Sequence, residues 1–184
     1  MAYSNQNTEI LSLFTAAGKE IPTECSNMGH AVQILQTICN SQTHTIPDFT
    51  GLYESMPISE LRERMPEHEV FEEIDAETTP FFEALEELEN NIGTDDFTLD
   101  FDGNEYRIIA ESDIWEIYVE EIKNTVEDCY SDCINLDKIP SFIAVSIDWG
   151  KTAENAYADG YGHTFSSYDG SEEEAAGYYI FRAN

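Results

Sequence analysis

Positive charge is scarce in this chain. Its 184 residues include 8 Lys and Arg against 38 Asp and Glu, which gives a formal net charge of −30 at pH 7. Each contact with a nucleic-acid phosphate needs a cation, so this composition argues against a nucleic-acid partner. An anionic membrane surface is disfavoured for the same reason. The composition therefore predicts a basic protein as the partner.

Long apolar runs and targeting signals are also lacking. No stretch of about 18 apolar residues is present, so no transmembrane helix and no membrane partner is expected. The first residues lack the cationic and apolar regions of a signal peptide. These two features together predict a cytoplasmic protein.

Cysteine is infrequent, with four residues at positions 25, 39, 129 and 133. An even number permits two disulfides, but the lack of an export signal favours reduced thiols. Cys129 and Cys133 lie four residues apart in a predicted helix, and whether they pair stays open. Neither a second cysteine pair nor a histidine lies at zinc-ligand spacing from them, so no metal or cofactor is predicted.

The apolar content, in contrast, is that of a folded protein. The chain is 41% hydrophobic and 12% aromatic, which is typical of a globular domain rather than a disordered acidic tail. The N-terminal part reads as helical. Thr8 and Ser26 are expected to cap two helices, and Gly18 is expected to end the first of them.

A second set of helices is expected between residues 58 and 93. Short amphipathic segments are predicted at 58–65 and 67–77. Thr79 and Pro80 then have the pattern that begins a helix, namely a capping residue followed by proline in the first turn. This pattern predicts a separate helix that starts at Pro80 and ends before Gly93.

From residue 95 the apolar period changes from 3.6 to 2, which predicts a strand with one acidic face. Asp102 and Gly103 are expected to form the turn of a hairpin, and a helix with Trp115 in its buried stripe is expected over 113–130. Further along, a strand is predicted at 142–147 and a helix capped by Asp148 at 148–158. Strands at 164–167 and 178–181, joined by a loop at 169–177, are expected to end the chain.

The fold class that follows is α+β, with a helical N-terminal part followed by a small, mostly antiparallel sheet with packed helices. Residues 1–93 form the mainly helical region and residues 94–184 the sheet-containing region. The two regions are compatible with one continuous domain.

The negative charge is concentrated in the middle of the chain. Residues 67–137 contain 24 acidic and 2 basic residues, whereas the segments before and after them each have a net charge of −4. A general acidic adaptation would spread the charge over the whole molecule. Because self-repulsion in one region opposes folding, this concentration indicates a use for the charge.

Catalytic patterns are not found. The four histidines are scattered, and there is neither a phosphate-binding glycine loop nor a nucleophile elbow. Residues 100–105 resemble a calcium loop only superficially, because they lack its order of acidic residues. Pairs of carboxylates are abundant, but 38 acidic residues produce pairs by chance. The chain is therefore predicted not to be an enzyme.

The acidic residues are themselves the candidate site. Carboxylates at i, i+3 and i+4 of a helix lie about 5–6 Å apart at Cβ, a spacing comparable to that of DNA phosphates. A single acidic helix face is most often just solvated, but few ion pairs can be drawn here to explain so many. The candidate partner-binding residues are Glu83, Glu86, Glu87, Asp95, Asp96, Asp100, Asp102, Glu116, Glu120, Glu121, Glu127 and Asp128.

The C-terminal segment adds a resemblance. Residues 147–155 (IDWGKTAEN), 159–171 (DGYGHTFSSYDGS) and 178–182 (YYIFR) resemble the tails of small acidic proteins encoded by phages and mobile elements. They are also weakly similar to the C-terminal segment of ArdA-type antirestriction proteins. The resemblance covers about 35 residues and transfers no catalytic residue. It implies a DNA-mimicking inhibitor of bacterial restriction enzymes.

The function expected from these observations is inhibition of a bacterial defence system, either restriction–modification or CRISPR-Cas, inside the host cytoplasm. An acidic DNA mimic would block the basic DNA-binding surface of a defence or DNA-processing protein. The alternative is an acidic adaptor for a basic partner that does not compete with DNA. Which complex is the target, whether the protein is a homodimer, and whether the mimicked polyanion is duplex DNA stay open.

Overall fold

The computed structural model describes residues 8–49, 56, 58–66, 68–130, 146–161, 165 and 170–184. This part of the chain contains six helices and a four-stranded antiparallel sheet, which confirms the α+β class. The helices are α1 (Thr8–Ala16), α2 (Asn27–Ser41), α3 (Ile58–Arg64), α4 (Val70–Asn91), α5 (Ile114–Tyr130) and α6 (Trp149–Ala158). The strands are β1 (Asp96–Phe101), β2 (Asn104–Ala110), β3 (Glu173–Ala175) and β4 (Tyr178–Arg182).

Local capping signals set several helix boundaries as predicted. The Ser26 side chain accepts a hydrogen bond from the Gly29 amide and so caps α2. Asp148 caps α6 in the same way, through the amide of Lys151. Gly18, just past the end of α1, has a φ of +68°, a left-handed conformation that favours glycine.

The prediction of a separate helix beginning at Pro80 is wrong. Helix α4 is continuous over 22 residues, with Pro80 in its interior. Proline removes one backbone donor, but the buried stripe runs through this position, from Phe71 and Ile74 on one side to Phe81 and Leu85 on the other. Packing of this stripe outweighs the local proline signal.

The sheet has the strand order β1-β2-β4-β3, so β1 and β3 are its edges. β1 and β2 form the predicted hairpin, with Phe101 paired to Asn104. Asp102 and Gly103, between them, both have positive φ angles, of 51° and 76°, as a type I′ turn requires.

The predicted C-terminal strand pair is wrong in its partner. β4 lies where expected, but it pairs with β2 on one side and with the short strand β3 on the other. β3 lies inside the segment predicted as a loop. The hairpin turn that joins it to β4 is formed by Ala176 and Gly177, a pair that does not by itself predict such a turn. Positive φ angles at both turn residues, 54° and 81°, fit this tight connection.

Helices cover both faces of the sheet. Leu99, Ile108 and Ile180 belong to a large apolar cluster shared with α1–α4. Ile109 and Phe181, which alternate with these residues along β2 and β4, belong to a smaller cluster with α5 and α6. The sheet therefore lies between two helical layers.

Two further predictions concern α5 and the segment after it. Trp115 was expected in the buried stripe of α5, but its side chain is 46% exposed, and Tyr118 and Ile122 form that stripe instead. The prediction is wrong for Trp115 because Ile114, Tyr118, Ile122 and Val126, spaced four residues apart, pack in the smaller cluster and leave Trp115 beside them. The predicted strand at 142–147, apart from its last two residues, and most of that at 164–167 lie outside the described residues, as does Cys133.

Candidate protein-binding surface

Helix α4 presents the longest row of carboxylates. Its exposed carboxylates run from Glu72 to Glu87, about 22 Å at 1.5 Å per residue, which is about two thirds of one turn of duplex DNA at about 34 Å. The buried stripe holds one side of the helix against the core, so the acidic residues occupy the other side. The exposed carboxylates of α4 are Glu72, Glu73, Asp75, Glu77, Glu83, Glu86 and Glu87.

The predicted trio Glu83, Glu86 and Glu87 lies in the second half of this row. None of the three makes an ion pair within the part of the chain that the structure describes. Glu83 and Glu86 also line a groove of about 540 Å³, whose other wall includes Lys19 and Arg62. Arg62 pairs with Asp75 at 3.0 Å, so its positive charge offsets a carboxylate in the first half of the row rather than one of this trio.

Edge strand β1 contributes a second set of carboxylates. Asp96 and Asp100 are exposed, whereas Leu99 and Phe101, which alternate with them, are buried. Asp95, immediately before the strand, is also exposed. This alternation is the acidic face that the sequence predicted, and charges on an edge strand also hinder pairing with another chain.

Arg107 of β2 connects two of the predicted residues. Its guanidinium pairs with Asp96 of β1 at 2.6 Å and with Glu121 of α5. The hydrogen bond with Asp96, followed by that with Glu121, raises the pKa of Arg107 despite its partial burial. One positive charge therefore offsets part of the negative charge of the two carboxylates, a feature that the sequence reading missed because it requires strand register and helix position together.

Helix α5 holds the third set. Glu116, Glu127 and Asp128 are exposed and make no ion pair among the described residues. Glu120 pairs with Lys123, three residues along, at 2.7 Å. Such an exposed pair contributes little to stability, so Glu120 stays accessible.

The three sets meet at one edge of the sheet. α4 packs against β1, and Arg107 links β1 to α5, so the elements that carry the three sets adjoin one another. We call this set the acidic surface. It comprises Glu72, Glu73, Asp75, Glu77, Glu83, Glu86, Glu87, Asp95, Asp96, Asp100, Glu116, Glu120, Glu121, Glu127 and Asp128.

Asp102, also predicted as a contact residue, already has a partner within the molecule. Its carboxylate lies 2.8 Å from Nδ1 of His44, whose Nε2 is 2.8 Å from the hydroxyl of Tyr106. The His44 side chain is 8% exposed and Tyr106 is buried, and this burial raises the pKa of Tyr106 to about 12. Asp102 therefore joins the hairpin turn to the segment after α2, although its own side chain remains largely exposed.

A group of exposed aromatic side chains lies where α5 approaches α6. Trp115, Tyr157 and Tyr161 are 46%, 61% and 57% exposed. Sequence reading missed this group because Trp115 fits a helical core stripe by spacing alone. Whether Trp115 is buried depends on where α5 and α6 meet.

The acidic surface can present negative charge to a basic partner. Within the described residues, no group of three or more His, Cys, Asp or Glu side chains is arranged to hold a metal ion. Over the same residues, none of the helices has the length and apolar character needed to cross a membrane. Comparison with protein-family models, curated proteins and solved structures gives no match to this chain.

Proposed function

We propose that this protein is a phage-type inhibitor of a bacterial defence system that acts as an acidic DNA mimic and blocks a DNA-binding surface. The observation that supports this best is the unbroken α4, whose exposed carboxylates extend over about 22 Å, from Glu72 to Glu87. The acidic surface also includes carboxylates of β1 and α5. The partial resemblance of residues 147–182 to ArdA-type proteins points to the same class of target.

The mimic works because its charges are held in place before binding. Buried Phe71, Ile74, Phe81, Leu85 and Leu88 fix the backbone of α4 against the core. The carboxylates therefore lose little backbone freedom when a basic groove closes on them. Binding replaces the counterions around the Lys and Arg side chains of the partner, and the long-range field accelerates the encounter.

The target is proposed to be a restriction–modification complex or a CRISPR-Cas effector, both of which present basic channels to DNA. An acidic adaptor for another basic protein is the second candidate, since the same surface would serve it. The two differ in one property: a mimic competes with DNA for its partner, whereas an adaptor binds without such competition.

The test is competitive elution. The protein is immobilised and loaded with a bacterial lysate at low salt, and one half is eluted with short duplex DNA and the other with salt. Release of a DNA-processing complex by the duplex is the expected result. Release of unrelated basic proteins by salt alone would contradict mimicry and favour the adaptor.

Charge-neutral variants locate the surface on the captured partner. We expect Glu83→Gln, Glu86→Gln and Glu87→Gln together to weaken binding about 3- to 150-fold, at roughly 0.2–1 kcal/mol for each exposed ion pair lost. The control neutralises three exposed carboxylates outside the middle segment, Glu20, Glu63 and Glu172. Equal losses from the two sets would show that only net charge matters.

A further inference from the structure

Two exposed aromatic rings, those of Trp115 and Tyr157, pack together at the junction of α5 and α6. The Trp115 ring lies 6.5 Å from that of Tyr157 and 5.6 Å from that of Tyr118, between ring centroids. Tyr118 and Tyr157 are 6.0 Å apart and nearly perpendicular. Buried Tyr118 donates a hydrogen bond to the carbonyl of Tyr161 at 3.0 Å. We call Trp115 and Tyr157 the aromatic cluster.

The aromatic cluster is exposed, and both of its rings contact the buried ring of Tyr118. Tyr118 is 3% exposed and also contacts Phe165, so the cluster rests on a buried support. Exposed Trp and Tyr side chains that lose little rotamer freedom on binding are the residues that dominate protein–protein interfaces. Their exposure on a chain with a net charge of −30 calls for a functional reason.

Carboxylates adjoin the aromatic cluster along the chain. Glu116 follows Trp115 on α5, and Asp159 lies two residues after Tyr157. Both carboxylates are exposed, with no ion pair among the described residues. Aromatic rings and carboxylates that are neighbours along the chain match the guanidinium group, which stacks on rings and donates two hydrogen bonds to a carboxylate.

We propose that the aromatic cluster is the docking site for an arginine-bearing segment of the protein partner. The acidic surface steers any cationic partner by its long-range field, whereas the cluster distinguishes arginine from lysine at short range. A second copy of this chain is a poor occupant, because two molecules of charge −30 repel each other. This inference deepens the proposed function, on which it rests for the basic character of the partner.

The probe is a 12-residue peptide of alternating Arg and Gly, compared with a Lys–Gly peptide of equal charge. Binding is measured by fluorescence anisotropy at physiological salt. We expect the protein to bind the arginine peptide about 2- to 5-fold more tightly, the ratio that one exposed cation–π contact provides. Trp115→Ala and Tyr157→Ala should each reduce this ratio toward one.

Matched controls separate this inference from the proposed function. Tyr130 is 47% exposed on α5, and Tyr130→Ala should leave the ratio unchanged. The triple Gln variant of Glu83, Glu86 and Glu87 should weaken both peptides equally and keep the ratio. If Trp115→Ala fails to fold, as judged by circular dichroism, Tyr157→Ala alone decides the outcome.

Three results would overturn the inference. The first is that the intact protein binds the two peptides with equal affinity. The second is that Tyr130→Ala lowers the affinity ratio as much as Trp115→Ala or Tyr157→Ala does. The third is a dimer in sedimentation that Tyr157→Ala dissociates. The first two leave competition with DNA untouched, and the third places a second copy on the aromatic cluster. Loss of DNA competition with the arginine preference intact would instead contradict mimicry.

Discussion

The contact between Gly18 and Arg62 gives the sharpest test of how α1, α3 and α4 are held together. Gly18 has a φ of +68°, and a Cβ added to it would lie 2.7 Å from Cδ and 3.3 Å from Nε of Arg62. The guanidinium donates to the carbonyl of Ala16 at 3.2 Å, pairs with Asp75 at 3.0 Å and lies 4.3 Å from the centre of the Phe71 ring. Gly18→Ala would force this side chain away from all three.

The expected loss has two parts. A left-handed conformation costs a residue with a Cβ about 1–2 kcal/mol. Displacing Arg62 weakens a charged hydrogen bond and a cation–π contact, which adds about 1–3 kcal/mol. We therefore expect Gly18→Ala to lower the free energy of unfolding by about 2–5 kcal/mol.

Urea unfolding followed by circular dichroism measures the effect, with Gly103→Ala as the control. Gly103 has a similar φ of +76°, but a Cβ there would meet no atom within 4 Å. It should therefore cost only the backbone part, about 1–2 kcal/mol. In an Arg62→Ala background the cost of Gly18→Ala should fall to the same value, because the clash is gone.

Two outcomes would refute this reasoning. Equal losses for Gly18→Ala and Gly103→Ala would show that Arg62 moves aside without cost. An unchanged loss in the Arg62→Ala background would show that the two residues do not interact. Either result would mean that Arg62 does not hold the first half of α4 in place.

Three other predictions follow from single contacts. Gly29→Ala should destabilise the protein by about 1–3 kcal/mol in urea unfolding, because its Cβ would lie 2.1 Å from the carbonyl oxygen of Thr23; an unchanged midpoint would contradict this contact. Burial raises the pKa of both Cys39 and Tyr106 to about 12. The unfolded chain therefore loses these protons first, and stability should fall as the pH rises above about 9; a flat profile between about pH 8 and pH 11 would argue against their burial. Arg107→Gln should cost about 1–3 kcal/mol at low salt and less at high salt, since it leaves its two carboxylate partners uncompensated; a loss independent of salt would point to packing instead.

Signals that act within a few residues were readable from the sequence. Ser26 and Asp148 cap their helices because a capping side chain reaches an amide three residues away, whatever the rest of the fold does. The Asp102–Gly103 turn could be predicted for a similar reason, since few residues tolerate two successive positive φ angles. The acidic face of β1 followed from alternation alone.

Proline in α4 shows where local reading fails. Thr79 and Pro80 have the pattern of a helix start, yet the Thr79 hydroxyl donates to the carbonyl of Asp75 at 2.5 Å inside a continuous helix. The free energy of burying the stripe on both sides of Pro80 outweighs one lost backbone hydrogen bond. The sequence pattern contains the stripe, but not the surface against which it packs.

The sequence by itself determined the charge of this protein, its concentration in residues 67–137, the α+β class and the residues that can be acidic contacts. Only the tertiary structure decided which carboxylates remain unpaired. Asp96 and Glu121 are joined by Arg107, whereas Glu83, Glu86 and Glu87 lie exposed along α4. It also decided that Trp115 is exposed rather than core. The reason is physical: composition and period are properties of the chain, but ion pairing and burial depend on distances between residues that are remote in sequence.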